Sequence, residues 1–157
     1  MSDEAEKGAV NIRVKDVMAK EPIMVESERT VKETAIEMDR SGHGCLLVTS
    51  RGKIVGIITE RDLVRKALTR GGSMARTKIK NIMSSPLIVV APDTSVEEAA
   101  KLMAKHKVRR LPVVEKGGLA GLITVTDIAR YLAERSTDPQ SLLKAMTRSS
   151  KTSKIYA

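Results

Sequence analysis

Aromatic residues are almost absent. The 157-residue chain has no Trp and no Phe, and Tyr131 and Tyr156 are its only aromatics. The core must therefore be built from Val, Ile, Leu, Met and Ala, and little surface remains on which nucleobases can stack. Cysteine is as scarce. Cys45 stands alone, which excludes an internal disulfide framework and any multi-cysteine zinc or iron–sulfur centre. Long apolar runs are missing too: the longest, such as Leu87 to Ala91, fall far short of the ~18 residues of a membrane span. The first eleven residues hold no apolar stretch of the secretory kind. A cytoplasmic chain with no membrane partner is expected. Side-chain amides number only three, Asn11, Asn81 and Gln140. That depletion, beside abundant Lys, Arg and Glu, fits a thermophile. The eight methionines point the other way.

What is present suffices for a folded domain. The chain is 41% hydrophobic and 30% charged, which excludes wholesale disorder. Its length is that of one ordinary domain. Lys and Arg number 28 against 19 Asp and Glu, a formal charge of +9. Basic runs lie at residues 64–80, 101–110 and 136–157. Such runs can follow a nucleic-acid backbone. The lack of aromatics, and of any helix-turn-helix or zinc-finger pattern, favours a solvated basic surface instead.

The chain repeats itself. Shifted by 65 residues, Lys15–Arg65 matches Lys80–Arg130 at 16 of 51 positions. A repeat resets the fold problem. A unit of ~60 residues is marginal alone, so two copies are expected to bury a face against each other. In each copy a short β-rich run follows a proline, Ile23–Val25 and Ile88–Val90. Thr30-Val31-Lys32-Glu33 and Ser95-Val96-Glu97-Glu98 then read as capping boxes that open helices. Val31, Ala35 and Met38, like Val96, Ala99, Ala100 and Met103, mark one helical face each. Cys45–Thr49 with Ile54–Thr59, and Arg110–Glu115 with Leu119–Thr124, read as strands. Their connections are too short for a parallel crossover, so antiparallel hairpins are expected. Second helices are predicted over Glu60–Thr69 and Val125–Arg135. The reading is a mixed α/β (α+β) fold of two β-α-β-β-α repeats, residues 12–70 and 78–135, joined by a linker at 71–77. Residues 1–11 are expected to be disordered. Residues 136–157 read as a basic tail, with a short helix opening at Asp138-Pro139.

One repeated string carries chemistry. Gly56-Ile57-Ile58-Thr59-Glu60-Arg61-Asp62 is matched by Gly121-Leu122-Ile123-Thr124-Val125-Thr126-Asp127. The glycines suit close backbone approach. The helix start after each Thr offers unpaired amides to an anion. A carboxylate three residues on can accept hydrogen bonds from a sugar diol. Equally, Thr-x-x-Asp is a capping box with Asp in place of Glu, and duplication copies a cap as readily as a site.

These tandem strings, in this order and spacing, resemble a pair of cystathionine β-synthase (CBS) domains, a Bateman module. The resemblance spans about residues 14–135 and is closer in the second copy, with His106-Lys107-Val108-Arg109-Arg110-Leu111-Pro112-Val113-Val114. It implies a pseudo-two-fold disc with two clefts between the copies. It implies ligands such as AMP, ADP, ATP or S-adenosylmethionine, as in energy sensing. It implies that Asp62 and Asp127 hold ribose, and that Thr59, Thr124, Arg109 and Arg110 face phosphate. It also implies a homodimer that signals to a protein partner. The first copy departs from the pattern: Gly44, Cys45 and Leu47 stand where the second has Arg109, Arg110 and Pro112. Arg110 is then expected to reach across to the Thr59/Asp62 cleft, and Arg109 to serve Thr124/Asp127. A structural module with empty clefts is the bland alternative.

Cys45 itself reads as a small buried residue. His43, between two glycines, suits a tight turn, and His106 a helix C-terminus. Neither shows metal-ligand spacing. No nucleophile–base pair assembles from these residues, so no enzyme and no catalytic cofactor are expected.

Overall fold

The computed structural model describes residues 12–85 and 87–135. The expectations for residues 1–11 and 136–157, the short helix included, lie outside the described residues. The elements run β1 (Met24–Glu26), α1 (Val31–Ser41), β2 (Cys45–Ser50), β3 (Lys53–Thr59) and α2 (Glu60–Asp62) in the first repeat. The second has α3 (Val96–His106), β4 (Arg110–Glu115), β5 (Gly118–Thr124) and α4 (Val125–Arg135). The mixed α+β architecture of two repeats is as the sequence predicts.

Local chemistry explains the elements. Thr30 and Glu33 form a full reciprocal capping box at α1. Ser95 accepts from the Glu98 amide at α3. Gly42 ends α1 in the left-handed region, where a residue without Cβ is unstrained. Both hairpins are antiparallel, and each carries a bulge, between Val48 and Thr49 and between Val113 and Val114. Their tips, Arg51-Gly52 and Lys116-Gly117, have positive φ throughout, as two-residue hairpin turns require.

Two expectations need correction. The first strand of the second repeat is not a strand: Val90 makes only an isolated parallel bridge to Val113. The cause is Pro112. In the first repeat the Leu47 amide donates to the Ile23 carbonyl at 3.0 Å, and β1 pairs with β2. Pro112 holds the position of Leu47 and has no N–H to donate. The second helix of the first repeat is also not a plain α-helix. After the single turn α2, residues Leu63–Leu68 widen into a π-helix, whereas α4 stays α-helical throughout.

The cores are exchanged between the repeats. One cluster holds Val25, Val31, Leu46, Val48 and Ile58 of the first repeat with Ile79 and Ile82, which begin the second. The other holds Leu111, Val113 and Ile123 of the second repeat with Val14, which begins the first. The same exchange recurs in polar contacts 65 residues apart. Ala19 bridges to Leu122, and Ser84 to Ile57. Lys15 pairs with Asp93 at 2.7 Å, and Lys80 with Glu28 at 2.6 Å. The carbonyls of Ile12 and Thr77 accept from the first amides of α3 and α1. Residues 71–77 therefore do more than connect. Thr77 and Met74 satisfy the Val31 and Lys32 amides, and Met74 packs on the first core.

Candidate functional site

The two Thr-x-x-Asp motifs close strands β3 and β5 and open the helices that follow. Both are capping boxes in geometry. The Thr59 hydroxyl accepts from the Asp62 amide at 3.1 Å, while the Thr59 amide and hydroxyl donate to Asp62 Oδ2 at 3.0 and 2.9 Å. Thr124 and Asp127 repeat this at 3.1, 2.9 and 2.7 Å. Each box thus consumes one carboxylate oxygen and leaves Oδ1. At Asp62, Oδ1 meets Lys66 Nζ at 3.0 Å, and the same ammonium donates to the Ile82 carbonyl at 3.0 Å. At Asp127, Oδ1 meets only Arg130 among the described residues, at 3.6 Å. Lys66 is a site neighbour that the motif reading missed. Its signal was its place four residues after Asp62, where helical side chains meet.

Gly56 and Gly121 serve the exchanged segments rather than a ligand. A Cβ on Gly56 would stand 2.5 Å from the Met83 sulfur, and one on Gly121 2.5 Å from the Ala19 carbonyl oxygen.

A cleft lies where the repeats meet. Ile57 of β3 lines it from the first repeat. Ser84, Leu87 and Ile88, with Val108, Arg110 and Pro112, line it from the second. Thr59 follows Ile57 by two residues and so shares its face of the strand. The cleft thus brings Arg110 to the strand that ends in the Thr59–Asp62 motif. Its volume is about 60 Å³. Ligand pockets typically run to ~300–1,000 Å³, so a nucleoside needs it to open. Arg109 does not line this cleft. Its side chain is exposed, and its carbonyl accepts from the Val125 amide at 3.0 Å, beside Thr124. Among the described residues neither Arg109 nor Arg110 has a salt bridge.

Cys45 opens β2 opposite Thr59, as Arg110 opens β4 opposite Thr124. Burial pushes its thiol above the ordinary range. The Arg110 guanidinium pulls it back, and the Asp127 and Glu60 carboxylates push it further up. Cys45 therefore stands beside the Arg110 side chain, at the junction of the two repeats. His43 Nδ1 contacts the Ser41 carbonyl at 2.9 Å, in the turn after α1. Among the described residues no group of three or more His, Cys, Asp or Glu gathers as metal ligands would. No helix among them is long and apolar enough to cross a membrane.

Fold and site together define a tandem α+β module with a cleft where its copies meet. The family model described as "CBS domain" matches twice, at residues 14–69 and 79–134, and the chain belongs to that family. It is 33% identical over 116 residues to the CBS domain-containing protein YhcV of Bacillus subtilis, covering 74% of this chain and 82% of YhcV. It is 32% identical over 124 residues to the mitochondrial CBS domain-containing protein CBSX3 of Arabidopsis thaliana, covering 76% of this chain and 60% of CBSX3. Among solved structures it resembles the CBS domain pair of protein MJ0100 in complex with 5′-methylthioadenosine and S-adenosyl-L-methionine. The TM-score is 0.71 at 30% identity, covering 79% of this chain and 98% of that one.

Proposed function

We propose that this chain is a regulatory module that binds adenosine-type ligands in the clefts between its repeats and reports their presence to a protein partner. The candidate ligands are AMP, ADP, ATP and S-adenosylmethionine. The observation that carries the reading is the cleft that joins Arg110 of one repeat to the strand bearing Thr59 and Asp62 of the other. The relative MJ0100, whose CBS pair binds methylthioadenosine and S-adenosylmethionine, supports an adenosyl ligand. Asp62 and Asp127 are assigned to the ribose diol through their Oδ1 atoms. Thr59, Thr124, Arg109 and Arg110 are assigned to the phosphate end. No catalytic role is assigned to any of them.

Signalling follows from the size of the cleft. A ligand shifts an equilibrium only if it binds two forms differently. A cleft too small for a nucleoside gives that difference, because only an opened form accepts one. A second copy of the chain is proposed as one partner. Ile36, Val64 and Leu68 are 48%, 55% and 57% exposed beside an apolar groove between α1 and residues 63–68, which suits a homodimer face.

Calorimetric titration of the four ligands into nucleotide-stripped protein at ~150 mM salt tests this, because that level screens surface charge. Saturable binding with one ligand preferred is expected. Equal, weak, salt-sensitive binding of every polyanion contradicts it and points to the +9 surface and nucleic acid.

A further inference from the structure

We infer that Lys66 is a latch on the cleft. Its ammonium ties the Asp62 carboxylate to the chain that leads into the cleft wall, and a ligand enters by breaking that tie. The inference rests on the reading that the cleft takes an adenosine-type ligand.

Lys66 Nζ stands 3.0 Å from Asp62 Oδ1 and donates to the Ile82 carbonyl, also at 3.0 Å. The first contact is local, between residues four apart on one helix. The second crosses to a segment 16 residues on. That segment, residues 79–84, begins the second repeat but is built into the first. Ile79 and Ile82 are buried in the first core. Ser84 exchanges two backbone hydrogen bonds with Ile57, at 2.9 and 3.1 Å. Ser84, Leu87 and Ile88 then line the cleft. One ammonium thus fastens the motif to the foot of the wall.

The setting gives the tie its weight. The Lys66 and Asp62 side chains are 31% and 12% exposed, whereas Lys80 and Glu28 are 46% and 65% exposed. A pair sheltered from water is screened little by salt, and baring either charge is costly. Asp62 Oδ2 already serves the helix cap, so the latch holds the oxygen that remains. A ligand hydroxyl that reaches this oxygen competes with Lys66. The second motif has no such tie among the described residues. Tyr131 takes the place of Lys66, and Asp127 Oδ1 meets only Arg130, at 3.6 Å. The latch is therefore no by-product of the capping box, which both motifs share.

Lys66 also springs from an unusual segment. Leu63–Leu68 is π-helical, whereas α4 is α-helical at the corresponding positions. Such wide turns are frequent at functional sites. The same segment carries Val64 and Leu68, which are exposed at the apolar groove. Release of Lys66 therefore loosens both the cleft wall and a segment that reaches the surface.

Amine labelling of the wild-type chain tests the latch, with the rate at Lys66 read by mass spectrometry. It is run alone, with saturating AMP and with saturating methylthioadenosine. A bound ligand ordinarily shields a lysine beside its site. Here it should raise Lys66 labelling about 3-fold or more, because ligand shifts the population to the unlatched form. In titrations, Lys66→Met should bind methylthioadenosine about 3- to 10-fold more tightly than wild type, since apparent affinity scales with the fraction already open. If that variant fails to fold, as its melting curve will show, labelling decides alone. Lys66 labelling that is slowed or unchanged by a saturating ligand overturns the latch. Unchanged or weaker binding by folded Lys66→Met overturns it too. AMP affinity lost while methylthioadenosine affinity holds would make Lys66 a phosphate contact instead. Each of these leaves the adenosine-binding reading standing. Wild type that binds neither ligand overturns both.

Discussion

Gly121 and Ala19 meet backbone to backbone. The hydrogen bonds run between Ala19 and the next residue, Leu122: the Ala19 amide donates to the Leu122 carbonyl and the Leu122 amide to the Ala19 carbonyl, both at 2.9 Å. The Ala19 carbonyl oxygen fills the space a side chain on Gly121 would need. Gly121→Ala should therefore destabilise the chain by about 1–3 kcal/mol, the usual cost of overpacking. Gly118→Ala is the control, since a Cβ there meets nothing nearer than 3.7 Å. Chemical denaturation of the two variants checks this, and equal midpoints contradict it.

The exchanged cores predict a single unfolding transition. Ile79 is fully buried among first-repeat residues, and Val14 among second-repeat residues. Neither repeat completes its core from its own sequence. Ile79→Ala should cost about 2–5 kcal/mol, as large-to-small core changes do, and should shift the whole transition. Two separable transitions in a denaturant or calorimetric scan contradict the exchange.

Much of this was legible in the residues, and the gaps have physical causes. The 65-residue repeat, the capping box at Thr30, the Ser95 N-cap (where the return bond expected from Glu98 does not form) and the Gly-bearing hairpin turns rest on local chemistry, which a sequence displays directly. The exchange of Val14 and Ile79 is long-range packing, which periodicity does not encode. Pro112 sits in plain sight, yet its effect on residues 88–90 emerges only once its partner carbonyl is known. At the site, Thr59, Asp62, Thr124 and Asp127 were legible as a repeated string. Two meanings of that string compete for the same atoms: Oδ2 of each Asp caps its helix, while Oδ1 meets Lys66 at Asp62 and Arg130 at Asp127. Lys66 was legible only through its place four residues after Asp62, and Ser84, Leu87 and Ile88 were not legible as cleft residues, because tertiary structure brings them to the first repeat.

Acid should destabilise the fold. The backbone amide of Thr30, then its hydroxyl, holds the Glu33 carboxyl below its ordinary 4.5. Lys80 holds Glu28 down, and Lys15 holds Asp93 down. A carboxyl whose folded pKa is depressed favours the folded state above its unfolded pKa, and that contribution is lost as pH falls through the folded one. Stability should thus decline below about pH 4.5. Salt should weaken the exposed Lys15–Asp93 and Lys80–Glu28 parts and spare the hydrogen-bonded Glu33 part. Thermal midpoints from about pH 6 to about pH 3 test the sign, and a flat profile contradicts it.

Cys45 should be a slow thiol. Burial raises its pKa, and Asp127 and Glu60 add to that against the pull of Arg110. The thiolate is the reactive form, so at about pH 8 iodoacetamide should alkylate Cys45 more slowly than a free cysteine. Reaction at the free-cysteine rate contradicts the placement.

The central claim is that the two motif carboxylates hold a ribose. Calorimetric titration of AMP and methylthioadenosine into Asp62→Ala/Asp127→Ala protein tests it most directly, with the melting curve establishing that the chain remains folded. The account predicts at least about a tenfold loss of affinity for both ligands, the scale of hydrogen bonds to a charged group. Affinities within about twofold of wild type in a folded variant, well under the effect of one such bond, would mean that Asp62 and Asp127 only cap their helices.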